Sequence, residues 1–111
     1  MENKEPISLD DFKKVALRVA KIKDAKDHPH ASKLYILVID TGTEEKQIVA
    51  GIKNYYTKDE LIGKTIIVVD NMKPAMLRDV ESKGMLLAAK DEDTLGLITI
   101  DRPVRIGSKV T

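Results

Sequence analysis

The sequence predicts an all-β fold, a small five-stranded barrel with one short helix between its third and fourth strands. Three observations lead there. Short runs of β-branched and apolar residues recur along the chain, at LYILVID, QIVAG, KTIIVVD and MLLAA. Turn chemistry separates them, as in DHPHAS and TGTEE. The internal helix signal lies between the third and fourth strands. There Thr57 and Glu60 are spaced as a capping box and Gly63 falls near the C-cap.

Taken in order, residues 1–7 read as a frayed lead. Ser8 with Asp11 three positions on reads as an N-cap and its acid, opening a short N-terminal helix over about residues 9–14. VALRVAKIK is the first strand, with Val15, Leu17 and Val19 on one face. Ile22 breaks that parity and predicts a bulge. DHPHAS is a turn, LYILVID the second strand, and TGTEE a hairpin connection in which Gly42 can take positive φ. QIVAG is the third strand and KTIIVVD the fourth, followed by a loop over 71–83. MLLAA is the fifth, GLITI a short sixth, and PVRIGSKVT a C-terminal extension. Three strands, a helix, then two or three strands is the element order of the OB fold; a generic small β-barrel is the alternative. The 111 residues form one domain, with 103–111 as a tail that could join a dimer contact.

Composition narrows the function. Lys and Arg total 19 against 18 acids, a net charge of +1, so any nucleic-acid contact must rest on a local patch. The balanced charge, 33% of residues, is compatible with a thermophile surface. With no Cys, disulfides and thiolate metal sites are excluded. No apolar run approaches the roughly 20 residues that span a bilayer. The start, MENKEPISLDD, lacks the apolar core of a signal peptide. A cytoplasmic protein with no membrane role is expected.

Catalytic chemistry finds no set of residues to carry it. P-loop, dinucleotide and nucleophile-elbow patterns are missing from the sequence. Asp10–Asp11 and Asp91–Glu92–Asp93 lie in polar stretches, where the sequence shows neither burial nor a partner that would shift a carboxyl pKa for catalysis. His28 and His30 could share a metal, but only Asp24 or Asp27 lies near as a third ligand, and HPH is ordinary turn sequence. No enzyme, metal or cofactor is expected.

The loop Asn71–Lys83 is the informative stretch. It carries Lys73, Arg78 and Lys83, with Asn71 and Ser82, against Asp79 and Glu81. Arg78 can fork onto a phosphate, the lysines act as point charges, and Asn71 and Ser82 can bond phosphate or sugar. Lys33, Lys53 and Asn54 sit at strand ends, where an OB barrel carries its ligand loops. On charge alone a solvated loop and ordinary surface lysines are the better explanation of all of these. Four aromatics, Phe12, Tyr35, Tyr55 and Tyr56, are few for stacking a run of bases, which favours reading shape and phosphates.

HPHASKLY and VESKGMLLAA, with LRVAKIKDAKD, QIVAGI and LIGKTIIVVDNMKPAMLRD, together resemble the tRNA-binding domain family over about residues 8–111. These OB-fold modules occur at the C-terminus of methionyl-tRNA synthetases, as separate beta subunits, and as free-standing tRNA-binding proteins. The resemblance implies that the chain binds structured tRNA without charging it. It implies partnership with a methionyl-tRNA synthetase catalytic chain, and homodimers. It carries tRNA contact onto Lys33, Asn71, Arg78, Ser82 and Met85; Lys53, Lys73 and Lys83 join them on charge and placement. Asp79 stands where the family often has Gly, and Lys83 where it often has Gln or Glu. The tail's Val104, Ile106 and Val110 would be covered in a dimer. The alternative is a polypeptide-binding, export-type chaperone of the same fold, using Met72, Met76, Leu77 and Met85.

Overall fold

The structure, a computed structural model, describes residues 4–111. Of the expected frayed lead, residues 1–3 fall outside the described residues, and 4–7 are exposed without regular structure. Helix α1 (Leu9–Lys13) starts where Ser8 accepts the Asp11 amide, as the N-cap spacing predicts. Strand β1 (Leu17–Asp27) is long enough to pair with β2 (Tyr35–Asp40) along one half and with β4 (Thr65–Val69) along the other. Between them come β3 (Glu45–Ala50), antiparallel to β2, and α2 (Lys58–Leu61). Helix α2 carries the full reciprocal box between Thr57 and Glu60.

The bulge in β1 exists, one residue later than the sequence suggests. Lys23 is the extra residue: Ile22 pairs with Ile39, and Asp24 already pairs with Val38. Parity therefore switches, and the main core takes Ala20 and Ile22 before the bulge and Ala25 after it. Val19, expected to share a face with Val15 and Leu17, is buried outside that cluster, whereas Val15 is exposed. Leu37, Ile39, Ile48, Ile66 and Val68 alternate inward from β2, β3 and β4. Leu61 of α2 plugs the barrel from its end, fully buried. Each such aliphatic side chain contributes about 1.5–3 kcal/mol by leaving water.

After β4 the chain forms β5 (Ala75–Leu77) and β6 (Val80–Ser82), a hairpin where the sequence reads as loop. The expected fifth strand splits. Strand β7 (Met85–Leu86) pairs with β4, while β8 (Ala88–Lys90) pairs with β9 (Leu95–Leu97). The Lys83 amide donates to Gln47 O at 2.9 Å and brings the far side back to β3, so the five-stranded barrel nearly closes. This is the OB architecture.

The tail is part of the barrel. Strand β10 (Lys109–Val110) pairs with Leu17 and Arg18 of β1. Its turn packs against the β2–β3 turn so closely that a Cβ on Gly42 would lie 2.7 Å from Gly107 Cα, and both residues have φ +94. Arg18 donates to Gly107 O at 3.0 Å and pairs with Asp70 at 3.1 Å; Lys46 Nζ meets the same carboxylate at 2.7 Å. Partial burial alone would raise the Asp70 carboxyl. The hydrogen bond and charge of Lys46, then those of Arg18, outweigh it and hold the pKa below the usual range.

Because the folded pKa is depressed, this stabilisation is complete above the ordinary carboxylate range and lost as pH falls through the lowered value. Asp70→Asn leaves Arg18 and Lys46 side by side without their anion. It should cost about 1.5–3 kcal/mol at neutral pH. The deficit relative to wild type should shrink below about pH 4. Urea unfolding of both proteins at several pH values measures this.

Candidate nucleic-acid interface

The β5–β6 hairpin turns on two residues, because Leu77 pairs directly with Val80. Arg78 has φ 51 and Asp79 φ 71, the double left-handed signature of the turn that suits the twist of paired strands. Asp adopts this conformation more readily than most residues, and Gly most readily of all. The Asp79 that departs from the family pattern thus still makes the turn.

The tip lands on the DHPHAS turn. Arg78 donates to His30 O at 3.3 Å, and the His28 ring meets Leu77 O at 3.0 Å. Together Arg78, Lys33, His30 and Ser32 line an open cleft of about 600 Å³. The structure thus brings Lys33 and Arg78, 45 positions apart in sequence, to one site. Among the described residues neither is in an ion pair, nor is Lys73, which is exposed ahead of the hairpin.

Lys53 is differently placed. Its ammonium pairs with Asp27 at 3.1 Å and lies 6.0 Å from the Tyr35 ring centre. Lys58 takes the other Asp27 oxygen at 3.2 Å. The hydrogen bond from Lys53, then that from Lys58, lowers the Asp27 pKa. Two lysines share this one carboxylate, and Glu60 lines the same corner, so its charges balance and Lys53 is not a free cation. Lys83 is 3.8 Å from Glu81, an exposed pair worth little. Met85 is half exposed and pairs with Val69 at the base of the hairpin.

Two expected contacts have structural work instead. Ser82 was expected to bond phosphate or sugar, but it is buried. Its hydroxyl donates to Gly84 O at 2.8 Å and accepts the Val49 amide at 3.0 Å, pinning the hairpin to β3. Asn71 accepts the Ala16 amide at 2.8 Å and donates to Lys14 O at 2.7 Å, tying the end of β4 to the start of β1. Ser82 is enclosed by these bonds; Asn71 is exposed and keeps a second N–H and a second lone pair. The sequence reading missed Gln47, whose amide donates to Glu81 O at 2.9 Å as a second pin. It weighed His28 only as a metal ligand, whereas the ring is 5% exposed and uses both nitrogens within the protein. The only signal for these was the regular placement of polar residues beside predicted strands.

Tyr56 packs against the core, and its hydroxyl accepts the Leu97 amide at 3.1 Å. Tyr55 is half-buried under Lys90, whose ammonium lies 5.6 Å from the ring centre. Neither ring stands free as a stacking platform.

The topology and the loop cluster at one barrel end define an OB-fold domain. A family model described as "Putative tRNA binding domain" matches residues 17–109, and the chain belongs to that family. It is 54% identical over 105 residues to a methionine–tRNA ligase of Thermotoga maritima, covering 95% of this chain and 17% of that protein. The corresponding enzyme of Pyrococcus horikoshii is 49% identical over 106 residues, covering 96% and 15%. The chain thus spans about a sixth of the length of these relatives. A methionyl-tRNA synthetase-related protein from Pyrococcus horikoshii superposes with TM-score 0.89 at 38% identity, covering 97% of this chain and all of that one. The CsaA chaperone of Picrophilus torridus superposes equally well, at 0.89 and 37% identity, covering 96% of this chain and all of that one.

Ser82→Ala should destabilise the protein by about 1–3 kcal/mol, because it leaves the Val49 amide and Gly84 carbonyl short of a partner. A surface serine kept for RNA contact would change stability by less than about 0.5 kcal/mol. Denaturant midpoints separate the two.

Proposed function

We propose that this chain is a non-catalytic domain that holds folded tRNA by its phosphates, sugars and shape. It acts in the cytoplasm, either as the beta subunit of a methionyl-tRNA synthetase or as a free-standing tRNA-binding protein. The observation that carries this is Arg78, an exposed guanidinium in no ion pair among the described residues, in a two-residue turn and sharing a cleft with Lys33. Family membership and the similarity to methionine–tRNA ligases support tRNA as the ligand. The shortage of free aromatic rings supports shape and backbone contact over stacking. Holding tRNA beside a synthetase would raise its effective concentration there. A second reading, polypeptide binding, is favoured by Met72, Met76, Leu77 and Met85, all exposed around the hairpin, and by the likeness to the CsaA chaperone.

A homodimer completes the proposal. Leu9, Phe12, Val15, Leu17 and Val110 line an apolar groove of about 560 Å³ where α1, β1 and β10 meet. Leu9 is 65% exposed and Phe12 45%. A second copy, docking the same face symmetrically, would cover this surface and double the cationic one. Of the tail residues expected at such a contact, only Val110 lines this groove; Val104 and Ile106 lie outside it.

About three unpaired cations at the site predict a modest electrostatic signature. Log affinity for tRNA should fall against log salt with a slope of about −2 to −3. Arg78→Ala should weaken binding by about 1–3 kcal/mol, and Arg78→Lys should recover only part. Asp79→Gly should tighten it, by removing an acid from the tip while easing the turn. Titrations of total tRNA, with unfolded polypeptide as competitor, decide between the readings. A flat salt dependence, or an Arg78→Ala variant that binds tRNA like wild type, transfers the assignment to polypeptide.

The dimer is tested by one substitution at its centre. Phe12→Asp should give a folded monomer by light scattering. Deleting the tail would be a poorer test, because it removes β10 and the Gly107 carbonyl that Arg18 needs. A Phe12→Asp protein of unchanged mass in solution would show that this groove is not the contact.

A further inference from the structure

His28 is nearly buried, is not part of any proposed contact with RNA, and joins the two loops that form the cleft. Its backbone amide closes the turn on Leu34 O at 3.2 Å. The His30 amide, which can only donate, lies 3.0 Å from Nδ1. Leu77 O, which can only accept, lies 3.0 Å from Nε2. Only one form of the ring satisfies both neighbours: neutral, with its proton on Nε2. Leu77 directly precedes Arg78, and Arg78 itself donates to the carbonyl of His30. The hairpin tip is thus fastened to the turn by the ring of one histidine and the carbonyl of the next.

We propose that His28 is the positioning residue for Arg78. Its neutral ring fastens the hairpin tip beside Lys33, and protonation of the ring releases it. An imidazolium would turn an N–H toward the His30 N–H, donor against donor. The ring would have to rotate and give up Leu77 O. The charged and titratable groups around it are few. The His30 ring stands edge-on with its centre 6.1 Å away. Arg78 and Asp79 occupy the hairpin tip, and Lys33 lines the same cleft. Asp27 precedes His28 in the chain, and its carboxylate is already held by Lys53 and Lys58. A cationic ring here would add to the positive charge of Arg78 and push the tip outward.

The expected sign is opposite to that of ordinary electrostatics. Protonating a surface histidine strengthens binding to a polyanion. Protonating His28 should weaken it, because Arg78 loses its fixed place. The consequence for tRNA rests on the function proposed above; the release of the hairpin does not.

The test follows the whole protein by NMR between about pH 8 and about pH 5, where imidazoles change charge. The His28 ring-proton shift reports protonation, and amide hydrogen exchange at 75–82 reports docking. As His28 protonates, hairpin amides should exchange at least about tenfold faster while those of β1 and β2 keep their protection. His28→Gln keeps a non-titrating donor for Leu77 O and should hold the hairpin docked across the range. His28→Asn keeps the acceptor for the His30 amide but cannot reach Leu77 O, and should leave the hairpin loose throughout. Total tRNA affinity should fall about tenfold on protonation of the wild type, the loss expected for one charge-assisted contact. In His28→Gln, which lacks the buried imidazole, it should hold or rise. Hairpin protection that ignores His28 protonation, or an Asn variant docked like wild type, overturns the proposal. Release of the hairpin with unchanged tRNA affinity would uphold the positioning role and overturn Arg78 as the tRNA grip.

Discussion

Asp70 is the point at which the barrel is tied together. One carboxylate at the end of β4 receives Arg18 from β1 and Lys46 from β3, strands that are not neighbours in the sheet. Arg18 passes the link on to Gly107 in the tail. A barrel that nearly closes needs such a tie, because its remaining edges carry unpaired backbone groups. Ion pairs on open surfaces contribute little, but here both cations and the acid are mostly shielded, and each is held by more than one partner. The next residue, Asn71, clasps the start of β1, so the chain leaves the barrel in a fixed direction.

The hairpin inherits that direction. Its base is pinned to β3 by Ser82 and Gln47, and its tip to the DHPHAS turn by His28 and His30. Held at both ends, a two-strand ribbon too short to be stable alone becomes a rigid arm. A guanidinium on such an arm loses little conformational freedom when it meets a phosphate, and that is what makes the contact effective. The residues that hold the arm are therefore as much a part of the site as the residues that would touch the ligand.

What could be read from the sequence follows from how local each device is. The Thr57–Glu60 box and the Ser8 cap were legible because both partners lie within one helical turn. The bulge was legible as a break in alternation, but its position was not: the register of β1 is set by Ile39 and Val38 on another strand. MLLAA reads as one strand and splits because its partner changes from β4 to β9 at Leu87, a tertiary event. The hairpin was hidden because Arg-Asp is not the usual left-handed turn pair. The bonds that Ser82 and Asn71 make within the protein were not legible, because their partners lie 33 and more than 50 positions away. Lys33 and Arg78 are singled out by the family resemblance; charge alone does not separate them from ordinary surface residues.

A net charge of +1 is no obstacle to holding a polyanion when the acids are occupied. Asp27 is shared by two lysines, Asp70 by a lysine and an arginine, and Asp91 accepts the amides of Asp93 and Thr94 in its own turn. The cations left over are not spread evenly: Lys33 and Arg78 meet in one cleft, and neither is in an ion pair among the described residues. The field at that end is set by which acids are already paired, not by the total. Asp79 is the exception, an acid at the tip itself. Its presence is a compromise between the left-handed backbone the turn requires, which Asp tolerates, and the positive surface the arm displays.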